Sequence, residues 1–87
     1  MTDILDIMTG IEDIVAMQQR LGNRLRIARA ERALSQEGLA DRAGVTRQTI
    51  SSIETGAYSP SALLAFRLAQ VLSKRVDELF FLEGGPQ

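Results

Sequence analysis

Apolar residues recur every three to four positions through most of the chain, the spacing that places them on one face of a helix. In the first segment Ile4, Ile7, Met8, Ile11, Ile14, Val15 and Met17 form such a stripe. Thr9 followed by Glu12 has the spacing of a capping box, so a helix can restart there after the interruption at Gly10. A second stripe through Leu21, Leu25, Ala28 and Leu34 predicts a helix over 18–33, with Arg20, Arg24, Arg26, Arg29 and Arg32 on its other faces. Gly22 weakens that helix by about 1 kcal/mol relative to alanine and reads as a bend or a close approach of another helix. Ile27 falls off the stripe, either as a partner of the first segment or as an exposed aliphatic.

The stretch from Leu34 to Gly56 organises the rest. It holds two short helical patterns joined at Gly44: Leu39, Ala40 and Ala43 form the apolar side of one, Ile50 and Ile53 that of the other. Val45 falls between them, where it can plug their angle. Ser35 and Thr46 stand where a hydroxyl can accept from the free N–H groups of a helix start. Gly44 and Gly56 stand where the helices must stop, and glycine takes the left-handed conformation of such stops. The outward positions of the second helix are Arg47, Gln48, Ser51 and Ser52. Hydrogen-bonding groups on an exposed short helix are what base edges in a DNA major groove require.

Further on, Ser59 is read as the cap of a helix over 60–73 with Pro60 at its first position, where the missing N–H costs nothing. Leu63, Leu64, Phe66, Leu68, Val71 and Leu72 are its partly inward residues. A final turn covers 76–82, and Phe80, Phe81 and Leu82 in succession cannot all enter one core. No strand is predicted. The expected architecture is all-α: a helical N-terminal extension over 1–19, a domain over 20–83, and a tail over 84–87 that is frayed or begins a linker.

Composition narrows the chemistry. With 87 residues there is room for one domain, and the absence of cysteine and histidine removes disulfides, thiolate metal sites and the commonest general base. The carboxylates are scattered, so neither an enzyme nor a metal or cofactor site is expected. No apolar run approaches the roughly 20 residues of a membrane helix, and the acidic start is unlike a signal peptide; the expectation is a cytoplasmic protein with no membrane partner. The net charge of −1 conceals an asymmetry: residues 1–19 carry −4, residues 20–58 carry +3 with seven arginines, and the remainder is neutral. An isoelectric point near 5.3 argues against a strongly non-specific nucleic-acid binder, while the local arginine excess leaves room for a specific contact surface.

The ordered set Leu25-Arg-Ile-Ala-Arg29, Leu34-Ser-Gln36, Leu39-Ala40, Ala43-Gly-Val-Thr46, Ile50-Ser51, Ile53-Glu54, Gly56, Pro60 and Asp77-Glu-Leu-Phe80 resembles the Xre-type, or phage repressor/Cro-like, helix–turn–helix regulators over about residues 21–80. That resemblance implies five helices with the third in the major groove of double-stranded DNA. It implies base reading by Arg47, Gln48 and Ser52, with Arg47 suited to a guanine O6/N7 fork and Gln48 to adenine N6/N7. It also implies phosphate contact or bracing by Gln36, Thr46, Thr49, Ser51 and Thr55, and an internal ion pair between Arg29 and Glu54. Three departures lie off the reading face. Gly38 replaces the glutamate of a capping box, Ala33 holds a turn position usual for glycine or asparagine, and Ser73-Lys74-Arg75 replaces a glycine-containing turn.

The function expected is a sequence-specific transcription regulator, in the first instance a repressor, bound as a homodimer to a pseudo-palindromic operator. Two other readings stand beside it: an antitoxin-type component that also regulates its own promoter, and the DNA-binding part of a longer ligand-sensing regulator. The acidic first segment has three readings: a helix packed on the domain, a dimerisation or protein-binding arm built on Ile4, Ile7, Met8, Ile11 and Ile14, or an extension upstream of a start at Met17. Phe81 is a further dimerisation candidate.

Overall fold

The computed structural model describes residues 19–84. The first apolar stripe and its capping box lie outside the described residues. In chain order the elements are β1 (Gln19–Asn23), α1 (Leu25–Glu31), α2 (Gln36–Ala43), α3 (Arg47–Glu54), α4 (Ala62–Leu72), α5 (Val76–Leu79) and β2 (Phe80–Gly84). The helices close around Leu25, Leu39, Ile50, Ile53, Leu68, Leu72 and Leu79, all fully buried. Leu21, Leu34, Val45, Val71 and Val76 pack against that core from its margins.

The all-α expectation needs correction, because β1 and β2 form a two-stranded antiparallel sheet. Gln19 pairs with Gly84, Leu21 with Leu82, Gly22 with Phe81 and Asn23 with Phe80. The helix expected from residue 18 therefore starts only at Leu25. Leu21 and Leu25 have helical spacing, but a strand entering the helix also brings Leu21 to the core margin, so periodicity could not separate the two. Gly22 is indeed a point of close approach, made by a strand rather than a helix. The Phe81 ring lies over it, where a Cβ would collide with the ring edge. On the other side the Arg24 guanidinium stacks 4.5 Å from the ring centroid, an attraction of a cation to the electron-rich face. Pleating resolves the crowding at the chain end: Phe80 is buried, Phe81 half-buried and Leu82 exposed.

Two further expectations shift in α4. Its cap is Ser61, whose Oγ accepts from the Leu64 N–H at 3.1 Å, so Ser59 and Pro60 stay in the preceding loop. From that start the inward positions are Leu64, Ala65, Leu68, Ala69 and Leu72. Leu63 and Phe66, expected to face partly inward, are 68% and 62% exposed. A helix has one buried face, and Ala65 and Ala69 occupy the places that the larger residues would have crowded.

The helix–turn–helix angle is held by local chemistry. Ser35 accepts from the Gly38 N–H at 2.9 Å and Thr46 from the Thr49 N–H at 3.2 Å, so α2 and α3 each open on a hydroxyl. Gly44 ends α2 at φ 73°, a left-handed conformation. From α4, Arg67 Nη1 donates to the Ala43 carbonyl at 3.2 Å, covering an otherwise free acceptor at the end of α2. At the entrance to α1, Asn23 Oδ1 accepts from the Leu25 N–H at 3.1 Å, and Asn23 Nδ2 donates to the Ile53 carbonyl at 2.9 Å. One amide thus starts α1 and anchors the C-terminal end of α3.

The Glu54 carboxylate joins three helices. Arg29 of α1 donates through Nε to Oε2 at 2.7 Å and through Nη2 to Oε1 at 3.2 Å, and Gln36 of α2 donates to Oε1 at 3.0 Å. Arg26 Nε stands 3.6 Å from the same oxygen. Arg29 Nη1 also donates to the Leu34 carbonyl at 2.9 Å, fixing the α1–α2 connection. The Glu54 side chain is 1% exposed and that of Arg29 16%. Burial pushes the Glu54 carboxyl up, but the hydrogen bonds from Arg29 and Gln36 and the charges of Arg29 and Arg26 outweigh it, leaving the group below its ordinary 4.5.

Removing one partner of a buried pair strands the other charge, so Arg29→Ala is predicted to cost about 3 kcal/mol in urea unfolding, the lower end for such pairs. A carboxyl with a depressed folded pKa contributes fully above its unfolded value of 4.5 and loses that contribution as pH falls through the folded value. The stability gap between the protein and Glu54→Gln is therefore predicted to narrow as pH falls below 4.5; a gap independent of pH would show that Glu54 is not held ionised. Ala33 and Ser73 adopt φ 53° and 52°. Ala33→Gly is predicted to raise thermal stability by roughly 1 kcal/mol, because left-handed backbone costs alanine about that much; a loss would show that the strain is compensated locally.

Candidate nucleic-acid interface

The exposure of α3 falls from its start to its end. Arg47 and Glu54 are seven residues apart, about two helical turns, and so lie on nearly the same stripe. Arg47 is exposed and Ser51 half-buried, while the Glu54 side chain is turned into the fold. The adjoining stripe behaves alike, with Gln48 exposed and Ser52 half-buried. Between these stripes and the core, Ile50 and Ile53 are fully buried. The helix is embedded by its C-terminal half and presents its N-terminal half.

On the presented half, Gln48 Nε2 donates to Ser52 Oγ at 3.3 Å, a long bond that leaves its Oε1 and second N–H available. Thr46 and Thr49 hydroxyls lie 3.0 Å apart, and Thr55 Oγ1 donates to the Ser52 carbonyl at 3.2 Å. Thr46 therefore serves as a cap, its hydroxyl engaged by both the N–H and the hydroxyl of Thr49. Thr55 lies exposed at the far end of α3. The Gln36 amide donates to Glu54 Oε1 and so ties the start of α2 to the end of α3. Of the dimerisation candidates, Phe81 is half-buried on the two-stranded sheet, over Gly22 and beneath the Arg24 guanidinium; Ile4, Ile7, Met8, Ile11 and Ile14 lie outside the described residues.

Three residues with positions that matter here were not singled out in the sequence: Asn23, Arg67 and Tyr58. Asn23 was legible in principle, because Gly22-Asn23 ahead of an apolar-periodic run is a helix-start signal. Arg67 acts across 24 positions of sequence, which no local pattern reveals. Tyr58 lies beyond α3 in a loop, yet its N–H donates to the Ser52 carbonyl at 3.1 Å, drawing it back against the helix. Its side chain is 47% exposed and borders, with Gln48, Thr49 and Ser52, a surface recess of about 240 Å³.

Among the described residues there is no group of three or more His, Cys, Asp or Glu able to hold a metal ion, and no helix long and apolar enough to cross a membrane. The chemistry the surface can offer is directional hydrogen bonding by Arg47, Gln48, Ser51 and Ser52 and a local positive charge. Neither suits bond-making, since no general base or activated nucleophile stands among them.

Comparison with known proteins agrees with this arrangement. The helix–turn–helix family model HTH_3 matches residues 25–79. Two uncharacterised HTH-type transcriptional regulators are close in sequence. One, from Methanothermobacter thermautotrophicus, is 48% identical over 60 residues, 68% of this chain and 87% of that protein. The other, YgzD from Bacillus subtilis, is 43% identical over 61 residues, 70% of this chain and 92% of that protein. Among solved structures, the restriction-modification controller protein C.AhdI from Aeromonas hydrophila is 34% identical with a TM-score of 0.61, covering 63% of this chain and 83% of that one. A Bacteroides fragilis protein with 24% identity and a TM-score of 0.65 shares the fold over 70% of this chain and 98% of its own. The chain belongs to the helix–turn–helix family HTH_3, the Xre/Cro-like transcription regulators.

Proposed function

We propose that this protein is a sequence-specific DNA-binding regulator that acts as a homodimer on a pseudo-palindromic operator, with repression as its simplest action because occupancy alone excludes other proteins from a promoter. The observation that carries the reading is the graded exposure of α3. Its C-terminal end is locked by Glu54 and Asn23 and its inner face by the buried isoleucines, and its first turn stands clear with Arg47 and Gln48 exposed. Recognition helices of this motif contact base edges with their N-terminal residues. Arg47 is assigned to a guanine fork, Gln48 to adenine and Ser52 to an adjacent base edge or to bracing Gln48. Thr46 and Thr55, which flank the helix, and Thr49 and Ser51, which lie along it, are assigned to phosphates, which fix register without reading sequence. The designations of the relatives as HTH-type transcriptional regulators and of the neighbour as a controller protein support the same reading.

Dimerisation is supported by the outer side of α4. Leu63 and Phe66 are exposed there, and Phe66 continues into an apolar groove of about 680 Å³ walled by Ala69, Val76 and Phe80. Exposed large apolar residues beside such a groove mark an interaction surface. A homodimer of this motif presents its two recognition helices to half-sites about 34 Å apart, one turn of DNA.

Selection from a random duplex pool is predicted to enrich a two-fold symmetric site. Arg47→Ala and Gln48→Ala should each relax preference at one position per half-site by about 1–3 kcal/mol and leave the melting temperature nearly unchanged; a large loss of stability would assign them to the fold. Phe66→Glu is predicted to shift sedimentation from dimer to monomer and to weaken operator binding. A dimer that survives this change but is lost on deletion of residues 1–16 would transfer the role to the N-terminal segment.

A further inference from the structure

We propose that Tyr58 determines specificity, and that the recess it forms with Gln48, Thr49 and Ser52 receives the 5-methyl edge of a thymine in the major groove; this rests on the DNA-binding reading given above. Chain reversal at Gly56, with φ 83°, brings the loop back towards α3. The Tyr58 N–H then bonds to the Ser52 carbonyl at 3.1 Å, so its backbone is held against the helix and its side chain borders the recess. The recess of about 240 Å³ adjoins the same half of α3 that presents Arg47 and Gln48. It can take the edge of a pyrimidine.

The chemistry of the walls selects among bases. Gln48 Nε2 is bonded to Ser52 Oγ at 3.3 Å, and Thr49 Oγ1 stands 3.0 Å from Thr46 Oγ1, so the Ser52 and Thr49 hydroxyls already have partners within the protein, while Gln48 keeps its Oε1 and second N–H for its own base contact. What they leave for a ligand is largely carbon: the tyrosine ring, the threonine methyl and the glutamine methylenes. In the major groove adenine and guanine present N7 with an amino or carbonyl group and cytosine an amino group; thymine alone presents a methyl. An apolar recess on a reading helix therefore favours thymine, and it does so through Tyr58, which lies outside the helix that carries the hydrogen-bonding code.

Deoxyuridine lacks only the methyl of thymidine, which gives the test. In the duplex enriched by the unmodified protein, each thymine is replaced in turn by deoxyuridine and affinity is measured. One thymine per half-site is predicted to cost about fourfold on replacement, the weight of one buried methyl group. Tyr58→Ser should abolish that penalty at that position alone, Tyr58→Phe should keep it, and Thr49→Ser, which removes the methyl of another wall, should reduce it. Circular dichroism melting checks that the variants fold, as expected for a side chain 47% exposed. A penalty unchanged in Tyr58→Ser, or absent at every thymine, would overturn the proposal. So would uniform weakening by Tyr58→Phe, which would give the hydroxyl a phosphate instead. Failure of the pool to enrich any sequence would defeat the DNA-binding reading itself, whereas an enriched site without the penalty defeats only the recess.

Discussion

The Glu54 carboxylate is the contact on which the arrangement of the domain depends. It lies at the end of the presented helix, almost wholly out of solvent, with Arg29 of α1 and Gln36 of α2 both donating to it. A charge in that position is costly unless its lone pairs are satisfied, and the guanidinium fork together with the amide satisfies them. Arg29 reaches on to the Leu34 carbonyl, so the same group that neutralises Glu54 also fixes the chain between α1 and α2. Three helices and one connection thus share a single polar junction. Such networks are cooperative, and losing one member leaves the others unsatisfied in a poorly solvated place.

That junction lets a net-acidic protein hold out the exposed first turn of α3, the surface proposed to read DNA. Helix α3 is only eight residues long and could not hold its own conformation in water. Its stability comes from Ile50 and Ile53 on the core side, Thr46 at its start, and Glu54 and the Asn23 amide near its end. Because these anchors sit at the core and at the helix ends, Arg47 and Gln48 are released from structural duty. Arginine is concentrated in the first two-thirds of the domain while the acids of residues 1–19 precede it. In the proposed homodimer, binding strength rests on the paired contacts of two protomers and on directional hydrogen bonds rather than on bulk charge.

Much of this was legible in the sequence, for identifiable reasons. The two-helix unit was readable because caps, stops and apolar positions all agree there: Ser35, Thr46, Gly44 and Gly56 punctuate what Leu39, Ala40, Ala43, Ile50 and Ile53 pattern. The hairpin was not, because β1 is five residues long and its one inward leucine falls in phase with α1. Its clearest signals were the run of β-favouring Phe80 and Phe81 and the glycine that Phe81 covers. The cap of α4 was misplaced because Pro60 suits a first helical position, whereas the hydroxyl that accepts from the free Leu64 N–H is that of Ser61. Arg67 and Tyr58 act through contacts made after the chain has folded, and neither carries a local signature.

The central claim is that the N-terminal half of α3, freed by the Glu54 junction, is the surface that meets DNA. The most direct measurement is a titration of the isotopically labelled protein with an enriched duplex, followed by amide and side-chain magnetic resonance shifts. The account predicts the largest changes at Arg47, Gln48, Thr49, Ser51, Ser52 and Tyr58, with the Arg29, Gln36 and Glu54 signals still reporting an intact junction. Changes centred on α4 and α5, with α3 unmoved, would contradict it.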